Sequence, residues 1–110
     1  MAKFVWFFSY TSEAAAAMID TPGDRAAAVA ALADAAGGTL ECFYWMTGPH
    51  DGLAIVDVPD AATAAGFSLG IASSGSLKSL ESHPLLTMGE AATALEHGKK
   101  VRAAYRLPGT

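Results

Sequence analysis

A chain of 110 residues with 52% hydrophobic and only 16% charged positions fits a single domain with a modest core. Seven lysines and arginines against eleven acids leave a net charge of −4, which argues against nucleic acid as a partner. A lone cysteine, Cys42, excludes a disulfide framework and any multi-cysteine metal site, and no apolar run reaches the roughly 18 residues of a membrane span.

Met1-Ala2-Lys3-Phe4 enters a strand directly, without an apolar leader, so a cytoplasmic location is expected. Residues 4–10, FVWFFSY, place Phe4, Trp6, Phe8 and Tyr10 on one face and Val5, Phe7 and Ser9 on the other. A strand apolar on both faces belongs in the middle of a sheet with cover on both sides. Thr11-Ser12-Glu13 caps a short helical turn over residues 14–18, which Pro22-Gly23 interrupts. Residues 24–36 then form an alanine-rich helix with a stripe of Ala26, Val29, Ala30, Ala33 and Ala36, stopped by Gly37-Gly38.

The stretch from 39 to 60 reads as a hairpin forming the middle of the sheet. Its first strand, 40–47, puts Leu40, Cys42, Tyr44 and Met46 on one face and Phe43 and Trp45 on the other with Glu41 and Thr47. Gly48-Pro49-His50-Asp51-Gly52 is the turn, 53–58 is the return strand, and Pro59-Asp60 ends it. Asp60 caps a second helix, 60–73, with Ala64, Phe67, Leu69 and Ile71 as packing candidates. A fourth, more polar strand spans 77–86, with Leu77, Ser79, Glu81 and His83 on one face; Pro84 suits a sheet edge. Thr87 caps a last helix, 88–97, closed by Gly98, and residues 98–110 are expected to be an extended tail.

The order β-α-β-β-α-β with a C-terminal helix is the α+β, ferredoxin-like pattern. Helices cover one sheet face, and apolar side chains on the other call for a second layer. The sheet of a second copy supplies it, giving a dimeric α+β barrel and a homodimer or higher even oligomer. Neither nucleic acid nor membrane is expected as a partner.

The aromatic first strand ending Tyr10-Thr11, Asp24-Arg25 at a helix start, Gly37-Gly38 and Phe43-Tyr44-Trp45 together resemble the GYD-domain family. Its signature corresponds to Gly48-Pro49-His50-Asp51, followed by Ala54-Ile55-Val56 and Pro59-Asp60, with a departure at His50. Pro84-Leu85-Leu86-Thr87 and Tyr105-Arg106-Leu107-Pro108-Gly109 are also similar to the family, so the resemblance spans nearly the whole chain. It implies a bacterial protein and a ferredoxin-like dimeric α+β barrel with no general activity attached. The wider superfamily holds cofactor-free monooxygenases, isomerases, haem-handling enzymes and binding modules, so fold alone selects no chemistry.

His50, beside Asp51, has the composition of an acid–base pair, because histidine titrates near neutrality and a carboxylate can orient it. A turn aspartate bonding backbone donors is the plainer alternative. His83, held extended before Pro84, shares its face with Glu81 and is the second candidate base. No metal-ligand spacing appears, and no cofactor is called for. Arg25 sits in the first turn of a helix, where the dipole disfavours a cation, so an ion pair with Asp20 or Asp24, or a bound anion, is expected. Cys42 reads as an inert buried thiol, and His97, at a helix end, as structural.

The leading expectation is a small homo-oligomer binding an apolar or aromatic molecule between sheet and helices. Trp6, Arg25, Tyr44 and Trp45 are the expected ligand contacts, joined by His50 and His83 as polar groups of that pocket. The alternatives are a cofactor-free isomerase or monooxygenase, with His50, His83 and Asp51 as catalytic candidates, and a structural or regulatory assembly whose interior Phe67 and Leu69 fill.

Overall fold

The computed structural model describes all 110 residues, Met1–Thr110. The elements are β1 (Ala2–Tyr10), α1 (Ser12–Asp20), α2 (Arg25–Ala35), β2 (Thr39–Trp45), β3 (Gly52–Val58), α3 (Ala61–Ala72), β4 (Leu77–Leu85) and α4 (Met88–Ala104). They form one four-stranded antiparallel sheet in the order β2-β3-β1-β4. This is the expected ferredoxin-like arrangement, with α1 and α2 sharing the first crossover. The hairpin is placed differently from expectation: β3 is central beside β1, while β2 lies at the rim.

Each helix begins at a polar cap. Thr11, Asp24, Asp60 and Thr87 accept a backbone N–H from the first turn of α1, α2, α3 and α4 respectively. In α4, Glu90 returns a bond to the Thr87 N–H and completes a capping box.

The core lies between the sheet and helices α2 and α3. Phe4, Trp6 and Phe8 from β1 meet Ala54, Val56 and Val58 from β3, with Ala33 and Ala64 above them. Alternation along β1 and β3 is regular, but the two edge strands each break it. A bulge between Leu40 and Cys42 turns both Leu40 and Phe43 toward the core, so Leu40 does not share a face with Cys42 and Tyr44 as strict alternation predicts. A second irregularity, where β1 pairs β4 at Ser9/Tyr10, brings Leu77 to the core beside Leu80 and leaves Ser79, Glu81 and His83 on the opposite face. Leu69 also departs from expectation. It is 72% exposed and fills nothing.

The sheet face away from the helices carries Val5, Phe7, Cys42, Tyr44, Leu53 and Ile55 as a band uncovered within the chain. Val5 is buried, Phe7, Cys42, Leu53 and Ile55 are half-buried, and Tyr44 is 64% exposed. Lys3 closes one end of the band by pairing with Glu41 and Asp57.

The C-terminus corrects the expected extended tail. Helix α4 continues through Gly98 to Ala104, because Lys99, Lys100, Arg102, Ala103 and Ala104 are good helix formers that offset one glycine. His97 is therefore mid-helix. The helix scarcely touches the body, and its length takes the longest dimension to 60 Å. The radius of gyration is 17.7 Å, against about 13 Å for a compact chain of this length. No helix is long and apolar enough to cross a membrane.

Candidate functional site

Helices α2 and α3 both lie on the sheet but hardly touch each other. Small residues bring each helix down onto the sheet, Ala33 and Ala64 being the buried contacts, and Gly66 and Gly70 add no side chain beside the gap. A cleft remains between them. Its floor is Trp6, Phe8 and Ala54, its end walls are Phe43, Leu77 and Leu80, and its sides are Val29 and Leu32 from α2 and Phe67 and Ile71 from α3. The inner hollow holds about 50 Å³ and is open on one side. It continues into a groove of about 800 Å³ between the same helices, with Arg25, Leu32, Phe67, Ile71 and Ser76 common to both. The hollow alone is smaller than the roughly 300 Å³ at which ligand sites begin, so a bound molecule has to occupy the groove as well.

Aromatic rings dominate the interior. Trp6 packs against Phe67 at 5.3 Å between ring centres, and Phe8 stacks on Phe43 at 5.5 Å. The Trp6 Nε1–H donates to Ser68 Oγ at 2.7 Å, so its indole is satisfied and its ring forms a fixed floor. Three polar side chains reach the cleft: Tyr10, Arg25 and Ser76. The Tyr10 hydroxyl accepts from Trp45 Nε1 at 3.2 Å, which leaves its own proton free to donate. Arg25 is the first residue of α2 and is half-buried. The expected ion pair is not formed: the chain's ion pairs involve Lys3, His50 and His83 only, and Asp24 is occupied in capping Ala27.

The structure separates the expected site residues into three places. Trp6 and Arg25 line the cleft. Trp45 lies outside it, in a surface dip with Tyr10 and Met46, and Tyr44 is on the uncovered sheet face. Neither histidine lines the cleft. His50 and His83 instead meet on that uncovered face, because His83 pairs in register with Val5 and the turn folds His50 over Phe7.

Their common partner is Glu81. Its Oε2 lies 3.3 Å from His83 Nε2, and its Oε1 lies 3.9 Å from His50 Nε2. The Phe7 ring sits between the two imidazoles, at 5.3 Å from His50 and 6.2 Å from His83. His50 Nδ1 is buried without a hydrogen-bond partner. Only the His83 contact lies within hydrogen-bonding distance, His50 stands beyond it, and the site is open, with His83 56% exposed. No three His, Cys, Asp or Glu side chains are grouped to hold a metal ion.

Asp51 does not orient His50. Its carboxylate accepts the Tyr10 N–H at 2.8 Å, its own N–H donates to Phe8 O, and its carbonyl accepts from Met46 N–H. These bonds fasten the hairpin turn to the irregular end of β1, which is a structural duty. Sequence reasoning missed Phe43, whose inward position depends on the β2 bulge, and Ser68, for which the sequence carries no signal.

A family model described as the GYD domain matches residues 4–95 of this chain, which spans β1 through the first half of α4. No curated protein matches it.

Proposed function

The chain belongs to the GYD-domain family, and from that footing we propose that it binds a small, largely apolar or aromatic molecule in the cleft between α2, α3 and the sheet. One observation carries this: an aromatic-floored hollow opens on one side, while the two helices above it stay apart and keep a groove available. Burial against Leu32, Phe67 and Ile71, which are still partly exposed in the groove, supplies the attraction, at about 25 cal/mol per Å² of apolar surface. The protein acts as a homo-oligomer in which two sheets stack through the uncovered band of Phe7, Tyr44, Leu53 and Ile55.

The test is a titration with 2-naphthol, a neutral aromatic probe. Val29→Trp adds bulk at the half-buried cleft wall and should weaken binding about tenfold or more, with the far-ultraviolet circular dichroism unchanged. Equal affinity in the wild type and the variant would place the probe elsewhere and defeat the proposal.

A second reading, a cofactor-free isomerase or monooxygenase with His50 as general base, draws on the unpartnered Nδ1 and on the Glu81 carboxylate 3.9 Å from Nε2. It requires a second copy to close over the open face and exclude water. His50→Ala separates the two readings: lost turnover with retained probe binding supports the enzyme, whereas a variant that turns over a substrate as the wild type does rules His50 out as the base.

A further inference from the structure

We infer that the molecule bound in the cleft is a small aromatic monocarboxylic acid, its ring held against Phe67 and its carboxylate held by Arg25; this rests on the cleft being the binding site.

Arg25 is the unusual group in this cleft. It is half-buried, carries a permanent charge, and sits in the first turn of α2, where the positive end of the helix dipole disfavours a cation. Such a guanidinium ordinarily takes a carboxylate partner, yet none of the chain's ion pairs includes it. Asp20 and Asp24 share a shallow outer dip with Arg25, but neither comes within ion-pair distance and neither lines the cleft.

The charge of the cleft points the same way. The chain has eleven acidic residues and a net charge of −4. None of the acids lines the inner hollow or the groove, and Arg25 is the one charged residue in either. An anion entering the groove therefore meets a cation, with no lining carboxylate to repel it. Tyr10, with a free hydroxyl proton, borders the same hollow and supplies a neutral donor, whereas the Ser76 hydroxyl is spent on Ser74 Oγ at 2.7 Å. A planar guanidinium suits the two oxygens of a carboxylate.

The rest of the ligand follows from the walls. Trp6, Phe8, Phe43 and Phe67 are paired at ring distances of 5.3 and 5.5 Å, and the hollow they bound is narrow, which favours a flat ring over a branched chain. A dianion or a phosphate ester is disfavoured because one guanidinium is the only fixed charge available.

The experiment compares 2-naphthoate with its neutral isostere 2-naphthamide by calorimetry on the full-length protein, its Arg25→Met variant and its Arg25→Lys variant. The acid should bind the wild type about tenfold or more tighter than the amide, the size of a charge-assisted bond. Arg25→Met, which keeps an apolar stem, should bring the two ligands within about twofold of each other because the acid loses far more affinity than the amide; Arg25→Lys should keep part of the preference. Equal binding of acid and amide to the wild type overturns the inference and leaves the cleft as the site. Equal weakening of both ligands in Arg25→Met also overturns it, by making Arg25 a packing group. If neither ligand binds, the cleft reading fails and the inference fails with it.

Discussion

Asp51 shows how much a single side chain settles in this protein. As a sequence feature it sits beside His50 and reads as half of a catalytic pair; in the fold its carboxylate holds the Tyr10 N–H at 2.8 Å. Adjacent residues in a turn need not act together, and no spacing rule says which backbone donor lies across the gap. Asp51→Ala should therefore lower stability by about 1–3 kcal/mol, the cost of a part-buried N–H left unpaired. Asp51→Asn, which keeps an acceptor, should recover most of that. Urea denaturation measures both, and an Asp51→Ala protein as stable as wild type would mean the bond contributes nothing. Arg25 makes the opposite point. Its uncomfortable position at a helix start was legible from the sequence, and its lack of an ion-pair partner was not, because pairing depends on where Asp20 and Asp24 point.

At the scale of elements, helix starts are legible in the sequence and strand faces only in part. Capping is local chemistry, so Thr11, Asp24, Asp60 and Thr87 announce their helices in the sequence. The caps also predict a pH dependence. Backbone and side-chain hydrogen bonds from Thr63 hold the Asp60 carboxyl below the usual carboxylate range, and the Thr87 backbone N–H does the same for Glu90. A lowered folded-state value means the ionised form is favoured by folding, so its stabilisation is present above the ordinary carboxylate value and lost as pH falls through the lowered one. The Asp60→Asn variant should show a smaller loss of stability on acidification than the wild type, measured by denaturation across acidic pH. Parallel curves would refute the cap's part in it. Strand faces failed at the two irregularities, since a bulge shifts every later side chain by one and leaves no mark in the composition.

For the whole molecule, the unpaired surfaces are the informative ones. Strands apolar on both faces were visible in FVWFFSY, and the structure leaves the band around Phe7 and Ile55 without cover from any helix. Tyr44, at 64% exposure, has little to lose within one copy. Tyr44→Lys should then leave the fold intact by circular dichroism but shift the protein from an even oligomer toward monomer in sedimentation at micromolar concentration. A wild type that sediments as a monomer would remove the case for stacked sheets. The continuous α4 was not legible in full, because Gly98 reads as a stop whereas the residues after it carry the helix on.

The two irregular rims of the sheet have a consequence for aggregation. An edge strand with free N–H and C=O groups is a template on which further copies can add without limit. Here β2 carries a bulge with Glu41 in it, and β4 carries Lys78 and Pro84, which lacks one backbone donor. Lateral growth into fibrils is obstructed at both sides, while the broad apolar face stays available. A chain this hydrophobic can thus satisfy its exposed surface by a closed, finite pairing of faces instead of an open-ended ribbon.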